Sequence, residues 1–334
     1  MKLLITGGAG SIGSYFIGYW LNKNSSDHII NLDALTYAGN LENTKSFKDN
    51  PNYKFIHGNI LDTKLVNSLM KGIDTVVHFA AETHVDRSLH YPQLFLETNV
   101  IGTQVLLEAS LNHKIKRFHY ISTDEVFGEL ELNTKEKFTE ETPYDPRSPY
   151  SSSKAGADHL VMAYYHTYKL PITITNCSNN YGPYQGPEKF IPRSITNLIE
   201  DKPIIIYGDG NHIRDWLHVE DHCTAIEVVL KKSGIGETYL VGGLTKDVSN
   251  LDIAKLLLKL LDKNKNYIKF VADRRHDRRY AVNWSKINKE LGWKPKHTFE
   301  AGLKETVEWY KNNIGYWKES KKEVEKFLNT RKKT

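Results

Sequence analysis

Cysteine is scarce in this 334-residue sequence: only Cys177 and Cys223 occur. Two thiols cannot form a disulfide framework, so a reducing cytoplasm is the expected setting. Long apolar runs are absent as well, so no membrane-spanning helix is expected. Met1-Lys2 passes directly into Leu3-Leu4-Ile5, too short an apolar core for a secretory signal. No internal repeat and no low-complexity tract interrupts the chain, which argues against a solenoid or a disordered linker protein. A large excess of one charge is also missing: 45 Lys and Arg face 40 Asp and Glu, for a net charge of +5. The compact basic cluster Arg331-Lys332-Lys333 reads as a solvated tail, and no aromatic-basic pattern suggests nucleic acid.

What is present is an alternation. Short apolar runs at residues 3–6, 28–32, 53–57, 75–79, 117–122 and 172–175 read as buried strands. Amphipathic stretches at 12–22, 63–70, 94–111 and 150–168 separate them and read as helices. Strand alternating with helix implies an α/β fold with a Rossmann-type, doubly wound parallel sheet. The second half is less regular, with turn-rich stretches at 181–187 and 207–210 and helical patterns at 251–261 and 300–309. In the last of these, Leu303 and Val307 share a stripe that reads as core. The organisation expected is a cofactor domain over 1–180, with about 214–243 added, and a smaller mixed α/β substrate-binding lobe over 181–213 and 244–334. Such a lobe can cap the carboxyl end of the sheet, where open α/β folds bind ligands.

The first chemical signal is Thr6-Gly7-Gly8-Ala9-Gly10-Ser11-Ile12-Gly13, between the first strand and the first helix. Glycines there permit a tight turn and let backbone N–H groups reach a pyrophosphate at a helix N-terminus. A lone glycine motif could merely serve a turn. Here Asp33 closes the second strand, 20 residues after Gly13. A carboxylate at that point accepts bonds from ribose hydroxyls and repels a 2′-phosphate, so NAD is expected rather than NADP.

The second signal is Tyr150 and Lys154, four apart at the start of a helix behind Pro149. A free phenol has a pKa of roughly 10, and a nearby ammonium favours its ionisation. Tyr150 could then take a proton from a sugar hydroxyl, and Lys154 could also hold the nicotinamide ribose. A surface Tyr-Lys pair on an exposed helix is the bland alternative, and the preceding fingerprint weighs against it. A third signal, Asp124-Glu125, ends the fifth strand. Elimination of water needs an acid and a base, which two carboxyl groups in different environments can supply. An exposed acidic turn is the competing reading, and spacing does not separate the two.

Together the fingerprint and the Tyr-Lys pair resemble the extended short-chain dehydrogenase/reductase family. Ser122-Thr123-Asp124-Glu125-Val126-Phe127-Gly128 is similar to a motif of nucleotide-sugar 4,6-dehydratases. Further matches are residues 32–40, 79–88 and 148–154, Cys177-Ser178-Asn179-Asn180-Tyr181-Gly182-Pro183, Pro187-Glu188-Lys189 and Arg214-Asp215-Trp216-Leu217. They run in family order from about residue 3 to 310, and as a set resemble the dTDP-glucose branch.

The resemblance implies a mechanism. Tyr150, assisted by Thr123, removes the 4-hydroxyl proton; Glu125 takes the C5 proton; Asp124 protonates the leaving 6-hydroxyl. It implies a tightly held NAD regenerated in each turnover, a nucleotide-sugar substrate and a homodimer pairing the helices near 94–111 and 150–168. For NAD it implies Gly7, Gly10, Ser11, Ile12, Gly13, Asp33, Leu35, Thr36, Asn59 and Ile60. Phe79, Ala80, Ala81, Thr98, Tyr150, Lys154, Cys177 and Asn180 complete that set. For substrate it implies Thr83, His84, Thr123 and Asn179 near the sugar. Lys189, Phe190, Ile205, Tyr207, Arg214, Asn250, Arg274 and His276 are implied around the nucleotide, with Tyr207 stacking on the base. Arginine forks suit a diphosphate.

The sequence departs from the family at Ser11, Asn176, Ile205, Leu240 and a shortened Asp273-Arg274-Arg275-His276-Asp277. None removes a proposed catalytic group, but base preference is affected, so a UDP-glucose 4,6-dehydratase is one alternative. A 4-epimerase, which needs no Asp-Glu pair, is another, and an NAD-binding sensor is the non-enzymatic one. His218 and His222 flank Glu220 and Asp221, but the stretch coincides with a family segment that binds no metal, and none is expected. Cys177 reads as a buried residue near the nicotinamide, not a nucleophile.

Overall fold

The structure, a computed structural model, describes residues 1–243, 246–273 and 277–330, the last four of these as backbone only. Arg274 and His276 lie outside the described residues. Seven strands, β1 (Lys2–Thr6), β2 (His28–Asp33), β3 (Tyr53–His57), β4 (Thr75–His78), β5 (Arg117–Thr123), β6 (Ile172–Cys177) and β7 (Glu237–Val241), form one sheet. Its order is β7-β6-β5-β4-β1-β2-β3, with every pair parallel. Six of the strands are the apolar runs of the sequence, as expected for parallel strands covered on both faces. The seventh, β7, was not anticipated; its five residues sit between glycines and carry Glu237 and Thr238 at the start.

Helices cover both faces. α1 (Ser11–Lys23) and α6 (Val219–Lys232) lie on one, with Leu3, Ile5, Phe16, Ile17, Trp20 and Ile226 in their core. α2 (Thr63–Met70), α3 (Gly102–Asn112) and α4 (Pro149–Tyr168) lie on the other, over Leu4, Val76, Phe118 and Ile172. A separate core joins α5 (Phe190–Ile199), α7 (Asn250–Leu260) and α8 (Phe299–Asn312) through Ile195, Leu257, Leu303 and Val307. The helix expected over 94–111 is interrupted: a helix at Pro92–Leu96 runs into a wide turn at Glu97–Ile101 before α3. Such π turns recur at functional sites. Here it carries buried Asn99, whose amide bonds the backbone of Glu82 (2.9 and 3.0 Å) and Ser153 Oγ (2.8 Å).

Residues 277–283 form a strap across the molecule. Leu130 N–H and Phe138 N–H donate to the carbonyls of Arg279 (3.0 Å) and Ala281 (2.8 Å). Ile213 N–H donates to the Arg278 carbonyl at 2.8 Å, and Tyr280 N–H returns to Ile213 at 3.2 Å. The loop after β5 is thereby tied to the segment carrying Arg214. Among the described residues, no helix is long and apolar enough to cross a membrane.

Candidate active site

Strand order reverses between β1 and β4, and the crevice beside that point is where a ligand fits. A cavity of ≈ 260 Å³ occupies it and meets a second of ≈ 390 Å³. Of the residues expected to hold NAD, Gly7, Gly10, Ser11, Ile12, Gly13, Asp33, Thr36, Asn59 and Ile60 line the first. Phe79, Ala80, Ala81, Thr98, Tyr150, Lys154, Cys177 and Asn180 line it too. Leu35 is the exception: it does not line the cavity, and its N–H, in a left-handed turn (φ 50°), donates to Asp33 Oδ1 at 2.8 Å.

The glycine loop fits a dinucleotide by its own geometry. A Cβ on Gly13 would lie 2.4 Å from the Gly7 carbonyl oxygen, so only glycine lets α1 start this close to the loop. α1 has neither a side-chain cap nor an acidic residue in its first turn. Its first N–H groups are therefore left without a side-chain acceptor beside the cavity, which suits a pyrophosphate. Asp33 is 8% exposed; its Oδ2 accepts from Ala9 N–H at 2.8 Å, and burial raises its pKa.

α4 places the Tyr-Lys pair. Ser148 and Ser151 cap each other reciprocally at 3.0 Å, and Pro149 starts the helix. Tyr150 and Lys154 then face the sheet, 7% and 4% exposed. Burial, with Glu125 and Cys177 adding to it, pushes the Tyr150 phenol well above its ordinary value, while the Thr123 hydroxyl acts the other way. Lys154 Nζ bonds Tyr120 Oη and the Ile121 carbonyl, both at 2.7 Å, rather than Tyr150. The register of β5 brings that pair of acceptors to the ammonium. Burial lowers Lys154 to about 8.

The acidic pair divides. Thr123 caps the turn Asp124–Phe127, its Oγ1 accepting from Glu125 N–H at 3.3 Å. Glu125 borders both cavities. Asp124 is 1% exposed and lines neither; its Oδ2 has no hydrogen-bond partner. Burial, then Glu125 and Asp215, hold its carboxyl well above the usual range. One buried acid with a raised pKa and one carboxyl group bordering the cavity are the two environments an acid-base pair requires.

The expected substrate residues cluster in the second cavity. Thr83, Asn179 and Lys189 line both cavities, and Thr123 lines the first. His84, Phe190, Ile205, Tyr207, Arg214 and Asn250 line the second. Ile205 and Tyr207 alternate onto one face of a short strand, Ile204–Tyr207. Several lining residues escaped the sequence reading. Arg193 stands on α5, whose Ile191, Ile195 and Leu198 spacing could have signalled the helix. Tyr280 stacks on the Arg214 guanidinium at 4.3 Å. Glu82, 3% exposed with Oε2 unpartnered, lines the first cavity.

His222 turns away from His218 and meets Asn180 Oδ1 at 2.9 Å. Among the described residues, His218, Glu220 and His297 do bring ligand atoms within 4.8 Å of one another. Both imidazoles already serve the fold: His218 Nδ1 takes the Glu220 N–H at the start of α6 (3.4 Å), and His297 pairs with Asp221 at 3.1 Å. Cys177 is buried, its thiol pushed up to about 12, and its Sγ donates to the Ser122 carbonyl. A thiol of that kind is a poor nucleophile.

A Rossmann-type sheet with a glycine-loop cavity opening onto a Tyr-Lys-Glu junction defines the class, a nucleotide-sugar-modifying member of the extended short-chain dehydrogenases/reductases. The family described as GDP-mannose 4,6 dehydratase matches residues 4–306. A dTDP-glucose 4,6-dehydratase of Shigella flexneri is 49% identical, covering 95% of this chain and 94% of its own. One of Mycobacterium tuberculosis is 48% identical, covering 97% and 98%. The crystal structure of dTDP-glucose 4,6-dehydratase from Bacillus anthracis in complex with NAD superposes with a TM-score of 0.90 at 49% identity, covering 96% of this chain and 99% of that one. The chain belongs to the dTDP-glucose 4,6-dehydratase family.

Proposed function

We propose that this protein is an NAD-dependent hydro-lyase converting dTDP-glucose to dTDP-4-dehydro-6-deoxyglucose. The observation that carries the reading is the position of Glu125, a carboxylate bordering both the glycine-loop cavity and the second one. The glycine loop and Asp33 hold the cofactor, and the lobe built on α5, α7 and α8 holds the nucleotide. When bound, NAD supplies a hydride acceptor at C4 and the hydride that ends at C6.

The chain's own groups move the protons. Tyr150 takes the 4-hydroxyl proton, with Thr123 beside it and Lys154 supplying positive charge. The C4 carbonyl makes C5–H acidic, and Glu125 removes that proton. Asp124, whose pKa its surroundings raise, gives its proton to the departing 6-hydroxyl, which leaves as water. Glu125 returns a proton to C5.

The test offers dTDP-glucose and UDP-glucose separately in heavy water. The expected product is a 4-keto-6-deoxy sugar carrying deuterium at C5, formed faster from dTDP-glucose. A galactose isomer without exchange at C5 would identify an epimerase, and no product from either substrate would leave a sensor.

Homodimer formation through the helices near 94–111 and 150–168 belongs to the same proposal. Leu94, Leu96, Ile101 and Tyr168 are 37–53% exposed there, with Leu89 and Tyr91 beside them. Grouped apolar residues of this size mark an interface. Light scattering should give a dimer mass, and Ile101→Lys with Leu96→Glu a monomer. A cytoplasmic setting is proposed from two buried, unpaired thiols.

A further inference from the structure

Asp158 stands one helical turn beyond Lys154 on α4, so the two share a face. That face is turned into the sheet, and Asp158 is 1% exposed. Burying a carboxylate is costly unless it is bonded or paired with a cation. Its Oδ2 accepts three hydrogen bonds, from Ser122 Oγ at 2.8 Å, Tyr144 Oη at 2.9 Å and Asn176 Nδ2 at 3.1 Å. Its Oδ1 accepts none.

The three donors come from three segments that meet behind the active site. Ser122 precedes Thr123 on β5. Tyr144 lies before α4, and its ring meets Phe127, the last residue of the Asp124 turn, edge-on at 5.1 Å. Asn176 on β6 also holds the Thr123 carbonyl at 3.2 Å. One carboxylate oxygen thus fixes the strand end from which Thr123, Asp124 and Glu125 project.

The ammonium of Lys154 bonds only neutral oxygens. Around it stand His78 on β4, Tyr120 on β5, Cys177 on β6, and Tyr150 and Asp158 on its own helix. Burial lowers the His78 pKa and raises those of Tyr120 and Cys177, so none of these three carries charge at neutral pH. Among these groups Asp158 alone is a carboxyl group; burial raises its pKa, while Lys154 and the Ser122, Tyr144 and Asn176 hydrogen bonds oppose that and favour the carboxylate. We propose that Asp158 is a positioning residue for the reaction: it is the buried countercharge that keeps Lys154 cationic beside Tyr150, and the anchor of the turn that presents the acid-base pair. This rests on the catalytic reading of Tyr150 and Lys154 given above.

A missing countercharge makes an ammonium easier to deprotonate. Lys154 already sits near 8 with Asp158 opposing the effect of burial. Asp158→Asn keeps the size and one oxygen able to accept the three hydrogen bonds but removes the charge. The alkaline limb of kcat/KM is expected to move to lower pH by about one unit, a roughly tenfold loss of activity above it. Tyr144→Phe removes one hydrogen bond and leaves the charge, so its limb should stay in place. A limb unmoved in Asp158→Asn overturns the proposal.

A second measurement needs no activity and does not require Asp158→Asn to fold alone. Lys154→Met leaves Asp158 buried without its cation, and adding Asp158→Asn to that variant should raise the thermal midpoint. A double variant no more stable than Lys154→Met shows that the two are not a pair and overturns the proposal. If Lys154→Met keeps full turnover, the catalytic reading fails, while the stability comparison still judges the pair.

Discussion

At one end of the cleft the cavity is bordered by a glycine loop and strand ends; at the other it is bordered mainly by long side chains. Gly7 to Gly13, Asp33 and Ala80 lie at the ends of neighbouring strands, and the register of the sheet places them without help from distant residues. Lys189, Tyr207, Arg214 and Asn250 meet only because the start of α5, a short strand, the segment carrying Arg214 and the start of α7 converge. Backbone contacts fit one cofactor and tolerate little change. Side-chain contacts can be exchanged one at a time, so this is the end at which relatives can differ in substrate while keeping the chemistry.

The strongest way to break that contrast is at the junction. Glu125→Gln should lower turnover by about 10²–10⁴-fold and abolish exchange at C5, with NAD retained. NADH absorbance should then build up when dTDP-glucose is added, since oxidation at C4 does not need Glu125. Loss of cofactor in this variant would make Glu125 part of the backbone-built end.

Next in size is a paired test. Gly13→Ala forces a Cβ to 2.4 Å from a carbonyl oxygen, and the purified protein should carry little or no NAD. Tyr207→Ala should raise KM for dTDP-glucose roughly tenfold, leave kcat nearly unchanged and leave NAD in place. Equal effects of both variants on NAD content would erase the distinction between the two ends.

The smallest effect sharpens how the ends are joined. The carboxylate of Asp221 on α6 accepts the Lys296 and His297 N–H groups, each at 3.0 Å, and pairs with the His297 ring. That carboxylate raises the His297 pKa above its ordinary 6.5. A raised imidazole pKa stabilises the fold fully below pH 6.5, and the contribution is lost as pH rises through the folded value. The thermal midpoint of the wild type should therefore fall between pH 6 and 8 by a degree or two more than that of His297→Gln. Parallel curves would show that the pair carries no linkage.

Which parts were legible in the sequence follows the same division. The glycine loop, Asp33 and the strands β1 to β6 are local, each written in a few consecutive residues, and the structure has them where the pattern indicated. The Tyr150–Lys154 spacing was legible, but the partner of Lys154 was not, because Tyr120 reaches it through the register of β5. Asp124 and Glu125 were visible as a pair; which of them faces the cavity depends on how the turn is capped by Thr123. The break at Glu97–Ile101 was hidden inside a good helical period, since Asn99 is drawn out of it by the backbone of Glu82, 17 residues earlier. Tyr280 was missed because the guanidinium it stacks on, Arg214, is remote in the chain.

The strap at residues 277–283 acts on one cavity and not on the other. Its backbone is stitched to the loop after β5 and to the segment carrying Arg214, and its Asp277 and Tyr280 line the second cavity while none of its residues lines the glycine-loop one. Widening the second cavity therefore means unzipping peptide hydrogen bonds, whereas the glycine-loop cavity keeps its shape whether the seam is closed or open.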